Sequence, residues 1–502
     1  MKFKRFIFPS LAICAVLALI LRSFTRTASA QAVPERKPYN EMDAYLEQEM
    51  HRLNIPGAAL AVVEGDEITH LSGFGQARPG GEAPSPQTPF FIGSLTKSFT
   101  ALAVMQLVEA GKIELDAPVQ RYLPWFRVAD PQASAQMTVR HLLNQTSGLP
   151  TSSGEIQMAD FDDSPDAAER QARALSTLAL KHPVGSAFEY SNSNYNLLGL
   201  VIEAASGESY ADYIQRHIFT PLDMRHSYVS QTQAKQNGLA VGHRYWFAVP
   251  FAAPDVPVPQ GSLAAGQLIS CVEDIAHYMI ALLNGGHYGD TQILSEESIA
   301  ELHRGVADYH EMGLDLGQYG MGWFVDESGR TKLVWHGGTT PNFGAFIALL
   351  PEQKKGVVML LNANHHWMTP VLADFGSGVA ALLAGDQPTP ITFVGFIPWM
   401  LRAQLLIPLL QVAGVAATLW SLRRWRQNPA CRPSGGRKWG LHILLPLIPN
   451  LSVALMLIPM FGETRGYLKL YMPDYSWIAI ICGGFAGIWA FLRTGLVLRA
   501  KR

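Results

Sequence analysis

The chain has 502 residues, 48% of them hydrophobic, and a formal net charge of −2. That length implies about two to four structural units. The near-neutral balance lacks the basic excess that nucleic-acid binding needs to neutralise phosphates, so no nucleic-acid partner is expected.

Lys2, Lys4 and Arg5 precede an uncharged run from Phe6 to Leu21, and Ala28-Ser29-Ala30 follows. This is the order of a secretory signal, so residues 1–30 are expected to be a signal peptide cut after Ala30. An uncleaved anchor is the alternative, although the run is short for a span of ~20 residues. Either way the middle of the chain is exported. Of four cysteines, Cys14 lies in this segment behind the bulky Ile13, which argues against lipid attachment. Cys271 stands alone in the central region, so that region must be held by its core and not by an internal disulfide.

Tyr39 to Leu53 shows helical spacing of apolar residues. Gly57 to Ala77 reads as two strands joined at Glu64-Gly65-Asp66. Ser94 to Ala110 is apolar almost all round and ends at Gly111, which predicts a buried helix with Ser94 in its first turn. Residues 112 to 310 read as helices joined by Pro/Gly-rich connections. Strand character returns from Gly320, with Lys332–Trp335, Gly344–Leu350 and Gly356–Leu361 as short strands and a turn at Pro351-Glu352-Gln353. A helix from Trp367 to Leu383 closes this region. Strands at both ends of a helical middle predict one mixed domain over residues 39–385, its sheet assembled from distant segments.

Past Gly385-Asp386-Gln387-Pro388 the character changes. Leu405–Leu422, Trp439–Phe461 and Trp477–Leu492 read as three transmembrane helices in a membrane region of residues 391–502, with Ile391–Leu401 at the interface. The loop from Arg423 to Lys438 carries six basic residues and no acid, whereas Gly462–Ser476 carries two of each. The positive-inside rule therefore puts the first loop and the C-terminus in the cytoplasm, and the central domain outside.

Three short motifs carry chemistry. In Ser94-Leu95-Thr96-Lys97, position i+3 of a helix sets the amine of Lys97 against the Ser94 hydroxyl, and the helix N-terminus favours a developing oxyanion. In Tyr190-Ser191-Asn192, a phenol whose pKa is lowered by a neighbouring ammonium can relay protons, and the asparagine amide can meet a substrate carbonyl. A packed tyrosine at a helix start is the structural alternative. His336-Gly337-Gly338-Thr339 falls between two strands, where glycines let a ligand approach closely and the Thr339 N–H can donate to an oxyanion.

In this order the three resemble the Ser-x-x-Lys, Tyr-x-Asn and Lys-Thr-Gly elements of the serine β-lactamase and penicillin-binding-protein superfamily. Residues 91–97, 140–149, 190–199 and 319–323 look like its class C β-lactamase, D-alanyl-D-alanine peptidase and esterase branch. The resemblance covers about residues 40 to 385. It implies an α+β domain, with an antiparallel sheet flanked by helices and an all-helical subdomain. It further implies a peptidase S12-like acyl-enzyme mechanism in which Ser94 is the nucleophile. Lys97 and Tyr190 would move protons, Asn192, His336 and Gly338 would contact substrate, and the N–H groups of Ser94 and Thr339 would form the oxyanion hole.

One departure is informative. His336 stands where dedicated β-lactamases have a lysine, and a largely neutral histidine offers no permanent charge to a substrate carboxylate. The expectation is a membrane-anchored, extracytoplasmic and bacterial hydrolase of cell-wall-type D-peptides or small esters. A true β-lactamase is one alternative, and a penicillin-binding sensor without efficient turnover is another. The partners expected are a small-molecule or peptide substrate and the lipid bilayer. No cofactor or metal is expected. His365-His366 reads as a polar loop, because adjacent side chains in extended backbone point apart.

Overall fold

The computed structural model describes residues 39–311, 314–391, 394–433 and 435–500. The expected signal segment, residues 1–30, lies outside them.

Helix α1 (Asn40–Leu53) buries Met42, Leu46, Met50 and Leu53. These recur every third or fourth residue and form one helix face. The hairpin follows as β1 (Gly57–Glu64) and β2 (Glu67–Gly75), joined across Gly65 with φ +64°. Next come the buried α2 (Thr96–Glu109), and then α3 (Thr151–Met158) and α4 (Asn192–Ser206) within the helical middle. A short strand β3 (His243–Trp246) and helix α5 (Val272–Leu283) lead back to the sheet. Its remaining strands are β4 (Ala307–Glu311), β5 (Leu314–Tyr319), β6 (Phe324–Asp326), β7 (Leu333–Thr339), β8 (Gly344–Leu350) and β9 (Lys355–Leu361).

The eight strands form one sheet in the order β2-β1-β9-β8-β7-β6-β5-β4. Each neighbouring pair is antiparallel, with Leu60 opposite Met359 on β1/β9 and Trp335 opposite Ala348 on β7/β8. The first and last parts of the domain thus meet at β1/β9, as the sequence pattern predicts. Helix α6 (Thr369–Ala384) covers one face, where Gly376 lies against the ring of Phe346, and Tyr45 of α1 packs on Phe375. The other face carries Ala59, Ala61, Ile347 and Leu349 into the main core beside Phe99 of α2 and Met279 of α5. Helices on both sides explain why β1 and β8 are buried along nearly their whole length, and why they read as continuous apolar runs instead of alternating ones.

Strands β3, β4 and β5 escaped the sequence reading, and β6 was not delimited within the strand-like stretch from Gly320. β4 and β5 carry Asp308 and Gln318 at the open edge of the sheet, where polar side chains hide the strand period. The third motif is also placed differently. His336 to Thr339 lie inside β7, paired with β8 through Thr339↔Gly344, and not in a turn between strands.

Among the described residues, four helices are long and apolar enough to cross a membrane: His366–Ala384, Phe396–Gln427, Gly440–Phe461 and Pro473–Arg499. The first is half buried because it contains α6 and packs on the sheet. The other three overlap the runs read from sequence and expose large apolar side chains, among them Leu410, Phe461 and Phe491.

Candidate active site

Ser94 sits in a 3-10 turn, Gly93–Leu95, that runs directly into α2. It therefore precedes the α-helix instead of occupying its first turn, and Lys97 remains one turn away. Lys97 is fully buried, and its amine has three neighbours: Ser94 Oγ at 3.1 Å, Asn192 Oδ1 at 2.7 Å and the Ala265 carbonyl at 2.6 Å. Burial holds its pKa well below the ordinary lysine value. A neutral amine has two N–H donors and one lone pair. In that neutral form the two short contacts, both to pure acceptors, use both donors and leave the lone pair for the Ser94 O–H.

The segment before α4 delivers the next two groups. Ser191 is extended (φ −135°, ψ 126°), and its hydroxyl donates to the Pro150 carbonyl at 3.0 Å. Alternation in extended backbone then turns Tyr190 and Asn192 to the same side, toward Lys97. The Tyr190 ring centre lies 4.9 Å from Lys97 Nζ, and its hydroxyl shares a hydrogen bond with Ser94. The phenol is not acidified as the sequence reading supposed: burial raises its pKa, and the Ser94 hydrogen bond offsets only part of the rise. Burial thus favours the uncharged form of both Tyr190 and Lys97. Asn192 spends its carbonyl oxygen on Lys97, while its amide donates to Met158 Sδ at 2.7 Å.

β7 closes the third side. A Cβ on Gly93 (φ +55°) would lie 2.3 Å from the Thr339 nitrogen, and one on Gly338 would lie 2.0 Å from the Ile92 carbonyl oxygen. Only glycine permits this approach, which brings the Thr339 N–H beside the turn that carries Ser94. His336 is buried, with Nδ1–H donating to the Gly337 carbonyl at 2.6 Å and Nε2 accepting from the Tyr319 hydroxyl at 3.5 Å. Burial pushes its pKa down to about 3, so it carries no charge at neutral pH.

All the residues named from the motifs therefore converge. The Ala265 carbonyl and the Met158 thioether were not foreseen, since Ala264-Ala265-Gly266 and Met158 carry no local signature. His365 and His366 correct the polar-loop reading: they bond to Asp474 Oδ1 (3.0 Å) and Tyr467 Oη (3.1 Å) of one distant segment. One trio, His226, Cys271 and Asp274, brings potential metal-ligand atoms within 4.8 Å. Cys271 Sγ there accepts the Asp274 N–H, and Asp274 accepts from Ser227 Oγ, so the trio serves to cap the start of α5.

The sequence profile of the Beta-lactamase family matches residues 42–376. The chain belongs to the beta-lactamase family. This family comprises serine hydrolases of the β-lactamase and penicillin-binding-protein type. Among its relatives is Protein flp of Staphylococcus aureus strain MW2, 30% identical over 65% of this chain and 64% of that one. The chain thus spans just under two thirds of the length of these staphylococcal relatives. Another is the unguisins hydrolase ungD' of Aspergillus campestris, 28% identical over 64% of this chain and 61% of that protein. Among solved structures, the octameric penicillin-binding protein homologue from Pyrococcus abyssi superposes with a TM-score of 0.61 at 28% identity, covering 70% of this chain and 79% of that one.

Proposed function

We propose that this beta-lactamase family protein is a membrane-anchored serine hydrolase that works through an acyl-enzyme on Ser94 and acts on cell-wall-type D-peptides or small esters outside the cytoplasm. The observation that carries this reading is the buried Lys97 amine, 3.1 Å from Ser94 Oγ and held there by Asn192 Oδ1 and the Ala265 carbonyl. As Ser94 Oγ bonds to the substrate carbonyl carbon, its proton passes to Lys97. The carbonyl π electrons move onto the oxygen, which the Ser94 and Thr339 N–H groups face. Collapse expels the alcohol or amine, which takes a proton relayed through Tyr190. Water then repeats the sequence, restores Ser94 and releases the acid.

A neutral His336 supports D-peptides and esters over efficient β-lactam turnover, because no fixed cation stands on β7 to hold a carboxylate. Membrane anchoring in the proposed order (signal segment 1–30, catalytic domain 39–385, membrane region 391–502) is supported by the three exposed apolar helices and by the arginine-rich loop 423–438. The test is a hydrolysis screen of D-amino-acid peptides, short esters and a chromogenic cephalosporin. Wild type should turn over esters or D-peptides and be labelled once, on Ser94, by a fluorophosphonate. Ser94→Ala should lose label and turnover, by at least about 10³-fold. Retained turnover in Ser94→Ala would exclude the mechanism.

A further inference from the structure

The connector between the last two long apolar helices, residues 462–476, does not hang free. It forms helix α7 (Arg465–Tyr471) and the start of α8 (Pro473–Ile478), and both dock on the catalytic domain. Arg244 of β3 donates from Nη2 to the carbonyls of Lys469 and Leu470, a cation set at the C-terminus of α7. Asp474 is fully buried, between His365 Nε2 at 3.0 Å and the Phe247 N–H at 3.1 Å. His366 meets Tyr467 from the same side.

The inner face of α7 packs beside the reaction site, against the end of α3. Gly466 lies against Ala159 at the end of α3, where an added Cβ would sit 3.0 Å from the alanine methyl. The rings of Tyr467 and Tyr471 stack at 4.3 Å, and Tyr471 is only 3% exposed. Tyr467 is close enough to Glu155 and to Tyr190 for their charges to act on its phenol. Leu470 and Tyr471 line a recess together with Phe91, Met158, Gln267 and Thr340. Two of those residues abut the chemistry: Met158 accepts the Asn192 amide, and Thr340 follows the Thr339 whose N–H faces Ser94. None of the described lining residues is charged.

We propose that the 462–476 connector is a wall of the substrate cleft, and that Leu470 and Tyr471 select an uncharged, apolar portion of the acyl donor. This inference rests on the Ser94 acyl-enzyme reading. It goes further in making the membrane region part of the specificity apparatus. A tether alone would need no buried His365–Asp474 hydrogen bond and no tyrosines packed near Met158 and Thr340.

The test uses the full chain in detergent or nanodiscs, with nitrophenyl acetate, butyrate and octanoate plus the charged monosuccinate. The readout is the ratio of kcat/KM for each ester to that for acetate. Leu470→Ala, which enlarges the recess, should change the octanoate ratio by at least about tenfold, and Leu470→Phe should move it the opposite way. The succinate ratio should stay low throughout. Tyr471→Ala, which removes a ring from the wall, should also shift the octanoate ratio. A chain-length profile that is the same in wild type and both Leu470 variants, all folded by thermal melt, would overturn the proposal. Fluorophosphonate labelling of Ser94 in the wild type separates the two readings: loss of label defeats the acyl-enzyme itself, while a labelled enzyme with an unmoved profile defeats only the wall.

Discussion

Lys97 is the residue on which the site turns, and its chemistry follows from where it is buried. A lysine in contact with water is protonated at neutral pH and cannot accept a proton from serine. Desolvation inside α2 reverses this, because the charged form loses more by leaving water than the neutral form does. Two consequences are measurable. The acylation rate should rise with pH through the depressed Lys97 value and level off above it. Stability should carry the same group's signature. Between that depressed value and the ordinary ~10.4, the unfolded chain holds a proton that the folded chain lacks. Lys97 therefore favours the fold fully above ~10.4, and that contribution is lost as pH falls through the window. Relative to Lys97→Met, wild type should gain up to ~1.4 kcal/mol for each pH unit raised from 7 to 9. Denaturant titrations of both proteins at the two pH values check this, and equal differences would show that the amine titrates normally.

At the scale of elements, the site exists because two backbones come closer than side chains normally allow. The turn Gly93–Leu95 and strand β7 touch through Gly93 and Gly338, so that two N–H groups from segments about 240 residues apart in sequence can face one oxygen. Gly338→Ala would put a methyl carbon on the Ile92 carbonyl, and backbone cannot swing aside as a flexible side chain can. We expect a loss of about 1–3 kcal/mol in stability. We also expect kcat to fall by ~10- to 100-fold as Thr339 N–H moves off the oxyanion position. Thermal melts and ester kinetics on the purified variant measure both; a folded variant with wild-type kcat would remove Thr339 from the oxyanion role. The same scale shows why some elements were legible and others not. α2 announced itself because an apolar run with a glycine stop is a local pattern. β4 and β5 were missed because the short runs Ala307–Glu311 and Leu314–Tyr319 hold few apolar residues between polar ones.

For the whole molecule, the sheet is closed by segments from opposite ends of the domain, and the 462–476 connector returns from the apolar helices to the catalytic cleft. That return gives the topology a second, independent support. The charge counts lead one to expect residues 462–476 on the outer side, and the connector packs against the domain that the proposed N-terminal signal would export. If three helices cross the bilayer, a cysteine placed in the 423–438 loop should react with a membrane-impermeant maleimide only after the cells are opened. Mapping a set of such cysteines with and without permeabilisation tests this; labelling of the arginine-rich loop in intact cells would reverse the orientation.

What the sequence determined by itself was whatever depends on neighbours along the chain. Ser94 with Lys97, Tyr190 with Asn192, the glycines after His336 and the long apolar helices are all set by spacings of a few residues, where helix and strand periods act directly. Tertiary structure decided everything that needed two distant segments to meet. It set the Ala265 carbonyl against Lys97, raised the Tyr190 phenol instead of lowering it, turned His336 into a neutral buried group, and joined His365 and His366 to a connector one hundred residues on. Desolvation and close packing are properties of what surrounds a group in space, and no run of neighbouring residues specifies them. Ser94 and its lysine could be found by reading; the wall that faces them could be found only by folding.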